Sequence, residues 1–157
     1  MKVLLKILFI KNITIDGNGN KSLLHDYNFR DGIRYQFLGG ENNIFSNIKI
    51  INIIRRGISI WPEMQNTLIK NCVINNIREK QGIYFNGSGI IENCILQNVK
   101  TGIEIHDLVH GEQIYITNNH FQNNITGIIF NEFSDDIHFK NNTFKNIEIG
   151  IDKKEIF

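Results

Sequence analysis

The sequence repeats itself every 22 to 25 residues, and this repetition limits the possible folds more than any other feature. One asparagine recurs at intervals of 24, 22, 25 and 23 residues, and a second asparagine follows each of these after five residues. A glycine followed by isoleucine then closes every repeat. A period of this length is typical of solenoids, in which each repeat stacks on its neighbours. The aligned positions are Asn47, Asn71, Asn93, Asn118 and Asn141; Asn52, Asn76, Asn98, Asn123 and Asn146; and Gly57, Gly82, Gly102, Gly127 and Gly150.

Within each repeat the apolar residues alternate, as in the Gly-Ile-x-Ile segments, and this period of two predicts short β-strands. The composition agrees, because 32 isoleucines and no alanine in 157 residues favour strands over helices. Since no hairpin dipeptide separates the strands, we expect the chain to wind onward in coils stacked about 4.8 Å apart. Equivalent asparagines would then form ladders, and equivalent apolar residues a dry interior. The expected interior ladders are Ile50, Ile74, Leu96, Phe121 and Phe144, and Phe45, Ile69, Ile91, Ile116 and Phe139.

The repeat can be written x-I-x-I-x-N-N-x-F-x-N-N-x-x-G-I-x-I, and over roughly residues 12 to 152 it resembles the pectate-lyase-like superfamily. The resemblance implies an all-β fold, a right-handed, single-stranded parallel β-helix of about six to seven coils. The length predicts one domain over residues 1–157, with residues 1–11 as an N-terminal cap or first strand. The superfamily includes lyases, hydrolases, epimerases, phage tailspikes and inert stalks, so the fold alone leaves the function open.

Residues that carry chemistry gather on the outer side of the Gly-Ile strands. Because the interior of a β-helix is filled, a ligand must lie along an outer face, and the second and fourth residues after each glycine point outward. Aromatic rings stack on sugars, and a carboxylate with an imidazole moves protons. We therefore expect a shallow sugar groove that includes Trp61, with catalytic residues Glu104, His106, Tyr84 and Asp107.

The segment from Gly102 to Asp107 also resembles the Gly-x-Asp-Pro-His-Asp/Glu segment of alginate (mannuronate) epimerases. That family abstracts the proton next to a uronate carboxylate and returns it from the other face of the sugar. The resemblance implies that Glu104 and His106 move the proton. The tyrosine that the family has before the glycine is Thr101 here, and Tyr84, one coil earlier, would replace it.

Two arginines precede Gly57 and lie near the only tryptophan of the chain. Guanidinium groups bind carboxylates in a bidentate manner, so Arg55 and Arg56 are candidates for holding a uronate, although a solvated surface pair is the alternative. The expected substrate-binding residues are Trp61, Arg55, Arg56, Asn86 and Asn131.

Spacing predicts no metal ligands, because no Zn²⁺ set of histidines and cysteines appears. Ca²⁺ is the one metal that the sequence leaves open, with Glu104, Asp107 and Glu132 as contributors. Cys72 and Cys94 occupy one ladder in adjacent coils, either as a disulfide or as two stacked thiols that act as small apolar groups.

A polysaccharide, including a uronate-containing one, is the partner that these residues predict. The net charge of +1 argues against nucleic-acid binding by bulk charge, and no apolar run reaches the roughly 18 residues of a membrane span. A homo-oligomer stays open, and fold analogy favours an extracellular, cell-surface or virion location. The alternative functions are a non-catalytic tailspike or surface-stalk segment, and a fragment of a longer polysaccharide-degrading enzyme.

Overall fold

The computed structural model describes residues 9–17, 31–35, 41–106, 112–130 and 136–153. Within these ranges no helix is long and apolar enough to cross a membrane. The described residues form strands β1 (Phe9–Asp16), β2 (Ile33–Tyr35), β3 (Ile44–Ile51), β4 (Ile58–Lys70), β5 (Val73–Glu92), β6 (Ile95–Ile105), β7 (Ile114–Thr117), β8 (His120–Gln122), β9 (Thr126–Phe130), β10 (Ile137–Lys140), β11 (Thr143–Lys145) and β12 (Ile149–Lys153).

All pairings between these strands are parallel, and they stack the chain into three faces. The first face holds the start of β1 and β3, the ends of β4 and β5, and all of β7 and β10. The second face holds the ends of β1 and β3, the starts of β5 and β6, and β8 with β11. The third face holds β2, the start of β4, the middle of β5, the end of β6, β9 and β12.

This winding confirms the predicted all-β parallel β-helix. The longest continuously described segment is residues 41–106. It contains fewer uninterrupted turns than the six to seven coils expected.

Asparagines make the corners between the faces. Among the described residues, every non-glycine residue with positive φ is an asparagine, with φ between 52° and 59°. Asparagine tolerates this left-handed conformation better than most residues, and its side chain satisfies turn groups. The predicted ladders form, since Asn76 Nδ2 donates to Asn52 Oδ1 at 2.7 Å and Asn123 Nδ2 to Asn98 Oδ1 at 3.2 Å.

The predicted apolar ladders fill the interior. Ile50, Ile74 and Leu96 of the second face are fully buried, and so is Phe121. Phe144 continues this ladder and stacks on Phe121 at 5.1 Å between ring centroids, but it is 37 % exposed. It belongs to β11, and among the described strands β11 pairs only with β8, so no described rung covers its other side.

At the first asparagine corner, the inner ladder changes from cysteine to asparagine along the molecule. Buried Asn119 accepts a hydrogen bond from the Cys94 backbone N–H and donates one to the Ile91 carbonyl. Cys94 and Cys72 take this ladder position one and two coils below Asn119, and both are free, buried thiols. This confirms the interpretation as stacked thiols and not as a disulfide. The hydrogen bond to Cys72, together with burial, raises the pKa of the Cys94 thiol well above its ordinary value.

Close packing requires the glycines of the Gly-Ile pairs on the third face, except on its last described rung. A Cβ atom on Gly82 would lie 2.8 Å from the Gly102 carbonyl oxygen and 2.8 Å from Leu96 Cδ2. Real Cβ contacts are never that short, so any side chain would push the next rung away. The repeated Gly-Ile pair is therefore a packing requirement, which explains its regular recurrence.

Replacing Gly82 with alanine should lower the free energy of unfolding by about 1–3 kcal/mol, the usual range for overpacking. Gly150→Ala is the matched control in the same ladder, because its added Cβ would meet only Phe144 atoms at 3.8 Å. Urea denaturation of both variants measures the difference. Equal losses at the two positions would contradict the packing explanation.

Asn98 separates the backbone and side-chain roles of the corners, since it has φ 53° and donates to Asn75 Oδ1 at 2.8 Å. Asn98→Gly loses the side-chain bonds but also removes the Cβ that the left-handed region disfavours, whereas Asn98→Ala loses the same bonds and keeps the Cβ. We expect the alanine variant to be less stable than the glycine variant by about 1 kcal/mol in urea denaturation. An alanine variant that is the more stable of the two would show that the left-handed corner imposes no such strain.

Candidate functional site

The residues singled out on the Gly-Ile strands lie together on the outer side of the third face. Ser59, Tyr84 and Glu104 are in register on consecutive rungs. Trp61 lies two residues after Ser59 on β4, and His106 directly follows β6. Parallel in-register pairing therefore brings residues about 20 positions apart in sequence to adjacent rungs.

Three rings run across this face. The Trp61 and Tyr84 ring centroids are 5.4 Å apart, and the Tyr84 and His106 centroids are also 5.4 Å apart. The Trp61 indole N–H donates to Ser59 Oγ at 3.0 Å, and the His106 backbone N–H donates to the Phe85 carbonyl at 2.9 Å. The first bond fixes the Trp61 ring relative to its strand, and the second holds the backbone that carries the His106 ring.

The central residues of the expected shallow sugar groove are covered. Tyr84 is 5 % exposed and Glu104 is 8 % exposed, and Asn86 is buried as well. The cause is visible around Tyr84. The Arg56 guanidinium lies 4.2 Å from its ring centroid, and Trp61 flanks it on one side as His106 does on the other. Of the three rings, Trp61 and His106 are half-buried and therefore more accessible than Tyr84.

A chain of polar contacts joins three rungs beside the rings. Arg56 Nε donates to Gln81 Oε1 at 2.9 Å, and Gln81 Nε2 donates to Glu104 Oε2. Gln81 was missed in the sequence analysis. Its place in the repeat could have revealed it, because Gln81 directly precedes Gly82 just as Arg56 directly precedes Gly57.

Positive charge concentrates at one end of this chain of contacts. Half-buried Asp31 feels the charges of Arg34, Arg55 and Arg56, so three guanidinium groups surround one carboxylate. Burial raises the pKa of Asp31, and the arginines oppose that rise. Burial, followed by repulsion from Arg55, lowers the pKa of Arg56. Together with Glu104, the group has three positive and two negative side chains, which leaves one net positive charge for an anionic ligand.

Three of the proposed site residues and contributors lie outside the described residues: Asp107, Asn131 and Glu132. Arg55 lies next to Arg56 and is half-buried. The described part of the chain contains no group of three or more histidine, cysteine, aspartate or glutamate side chains that would hold a metal ion. Of the three Ca²⁺ contributors considered, only Glu104 is described.

This arrangement suits the chemistry of carboxylate-bearing sugars. A buried guanidinium with a fixed orientation binds a carboxylate with little loss of side-chain entropy. The half-buried Trp61 indole offers a stacking surface, and the half-buried His106 imidazole carries a ring nitrogen that is able to accept a proton.

Comparison with known proteins adds two findings. A crystal structure of an alginate lyase from Paenibacillus sp. str. FPU-7 matches this structure with a TM-score of 0.60 at 15 % sequence identity. The match covers 90 % of this chain and 57 % of that chain, and at this identity the likeness concerns the fold. No curated protein matches the sequence.

The sequence model of the family described as "Right handed beta helix region" matches residues 6–144. This match spans most of the chain and supports the right-handed winding that the resemblance to the pectate-lyase-like superfamily implied. The chain belongs to the right-handed β-helix family.

Proposed function

We propose that the third face binds an acidic polysaccharide and acts on it as a polysaccharide lyase or uronate epimerase. The observation that carries this proposal is the Arg56 guanidinium, which lies 4.2 Å from the Tyr84 ring centroid and donates its Nε–H to the Gln81 side-chain amide. The alginate lyase that shares the fold acts on an acidic polysaccharide by its name, which is consistent with this substrate class.

Arg56 provides the carboxylate contact. Its Nε is used by Gln81, whereas its buried Nη1 has no hydrogen-bond partner among the described residues. Leaving such a donor unsatisfied costs about 1–3 kcal/mol or more, and a substrate carboxylate would recover that cost. Arg55 adds a second positive charge at the same corner.

Trp61 provides the stacking surface. Tyr84 is enclosed by Arg56, Trp61 and His106, so it positions these neighbours and does not itself offer a free ring face. Trp61 is half-buried, and the Arg34 and Arg56 guanidinium carbons lie 5.6 and 5.8 Å from its ring centroid. A uronate that stacks on the indole would therefore have its carboxylate within reach of the arginines.

His106 is the proton acceptor in this proposal, because it is the more accessible of the two candidates and Glu104 is engaged by Gln81. His106 removes the proton next to the sugar carboxylate, and the electrons move into that carboxylate, where Arg56 stabilises the charge that develops. A lyase then expels the neighbouring glycosidic oxygen, which takes up a proton as the double bond forms. An epimerase instead returns a proton to the opposite face. Glu104 positions Arg56 through Gln81. Asp107 stays a candidate for orienting the His106 imidazole, and Asn131 for binding the substrate.

A non-catalytic structural β-helix is the second candidate. The observation that favours it is the exposure of apolar side chains on the last described rung, including Ile149, Ile151 and Phe144. An uncovered apolar rung is able to stack on another molecule, as in fibrous or stalk-like assemblies. In addition, the chain spans 57 % of the alginate lyase that it matches, so a role as part of a longer enzyme stays open.

The catalytic proposal predicts that His106→Ala abolishes turnover of a polyuronate and leaves the fold intact. A proton NMR time course with polymannuronate, polyguluronate and polygalacturonate, with and without Ca²⁺, detects unsaturated ends from a lyase and altered anomeric signals from an epimerase. His120→Ala on the second face is the matched control and should keep full activity. Unchanged turnover in His106→Ala would remove this imidazole from the mechanism.

The binding proposal predicts that Arg56→Lys weakens polyuronate binding by about tenfold or more, because lysine keeps the charge but loses the fixed two-pronged geometry. Calorimetric titration with a uronate hexasaccharide measures the effect, and thermal melting confirms that the variant is folded. Arg78→Lys, at the second asparagine corner, is the matched control. If both variants bind as tightly as the original chain, the carboxylate lies elsewhere.

A further inference from the structure

We propose that a second groove, at the corner where the third face turns into the first, binds a neutral saccharide unit. The groove has a volume of ≈ 570 Å³. The later residues of β4 and β5 line it, so it is separate in sequence from the arginine cluster. It was not found in the sequence analysis, which followed only the outer side of the Gly-Ile strands. Its principal lining residues are Thr67, Leu68, Ser88, Ile90, Glu112 and Tyr115.

Backbone forms one wall of this groove. Between Ile60 and Thr67 the pairing of β4 with β5 shifts register twice, and Gly89 has φ +145°. A Cβ atom on Gly89 would collide with the Thr67 carbonyl oxygen, so only glycine allows the two strands to approach here. The Gly89 backbone N–H donates to the Gln113 carbonyl at 3.0 Å, which ties the next rung to the same corner.

Tyr115 provides a preformed stacking surface. Its ring lies 4.7 Å from the His138 ring at an interplanar angle of 20°, and its hydroxyl donates to Gln113 Oε1 at 2.6 Å. These two contacts fix the ring while leaving 40 % of the residue exposed. Ile90 and Leu68 follow it on the rungs below, so the apolar surface is continuous along the first face. Sugars present an apolar ring face to surfaces of this kind.

Polar atoms surround the stacking surface without being satisfied by the protein. Thr67 is 1 % exposed, and its hydroxyl has no hydrogen-bond partner within the described ranges. Glu112 Oε2, on another lining residue, is also buried without a hydrogen-bond partner among the described residues. Buried polar atoms of folded proteins are almost always satisfied, so two unsatisfied atoms in one groove indicate that a ligand with hydroxyl groups supplies the partners. Sugar hydroxyls both donate and accept, which suits a hydroxyl beside a carboxylate.

Charge decides between a neutral and an acidic sugar. Glu112 is the only charged side chain among the described residues that line the groove. A uronate carboxylate would be repelled by it, and no lining arginine or lysine would compensate. The charge of this groove is opposite to that of the arginine cluster on the third face, so the two sites prefer different sugars. The proposal does not depend on activity at the third face.

The test maps binding of mannohexaose, cellohexaose and xylohexaose by ¹H–¹⁵N chemical-shift perturbation of the whole chain. We expect at least one of these neutral oligosaccharides to shift the amide signals of Gln113, Tyr115 and Ile90, and a uronate hexasaccharide to leave them unchanged. If none of the three shifts these signals, or if only the uronate does, the neutral-sugar site is refuted.

Variants then assign the stacking role. Tyr115→Ala should weaken the affinity for the active oligosaccharide by about tenfold or more, and Tyr115→Phe should keep most of it, because the ring is retained. Ile95→Ala, an equally exposed apolar residue on the second face, is the matched control and should not change binding. Unaltered affinity in folded Tyr115→Ala would overturn the proposal. If that variant does not fold, the shift map of the original chain still decides.

Discussion

Each rung of this protein must turn its corners in a left-handed backbone conformation while its hydrogen bonds continue to the rungs on either side. This double requirement explains the most unusual features of the sequence. Asparagine meets it because it tolerates positive φ and its amide bonds to the asparagine of the adjacent rung, as between Asn76 and Asn52. Glycine at Gly82 meets the companion requirement that successive rungs approach closely at the start of the third face.

A fixed rung spacing also determines what chemistry the molecule is able to assemble. Residues separated by one repeat become neighbours, so Arg56, Gln81 and Glu104 form one chain of contacts across three rungs. No local motif connects them in sequence. Gln81 and Glu104 lie on strands that are paired on both sides, and such a scaffold reduces the entropy that is lost on binding.

The ladders were predictable from the sequence because they depend on backbone periodicity, and the asparagine, glycine and interior isoleucine positions all follow from it. Burial on the outer face was not predictable. Strand alternation gives the direction in which the Tyr84 side chain points, but it does not reveal that Arg56 lies across the ring. Gln81 was missed for a related reason, since it precedes the strand whose alternation was indexed. The second groove depends on the register shifts between Ile60 and Thr67, which no periodic pattern reveals.

The near-neutral net charge conceals a strong local separation of charge. Arg56 keeps its positive charge although burial lowers its pKa, since arginine remains protonated far above neutral pH. Placing that charge in a partly desolvated position is unfavourable unless it is compensated, and Gln81, the Tyr84 ring and nearby Asp31 supply only part of the compensation. Replacing a buried charge with a well-packed apolar side chain is often neutral or stabilising, so stability alone does not call for an arginine there. The buried Arg56 with an unsatisfied N–H group therefore supports the proposed anionic ligand at the third face.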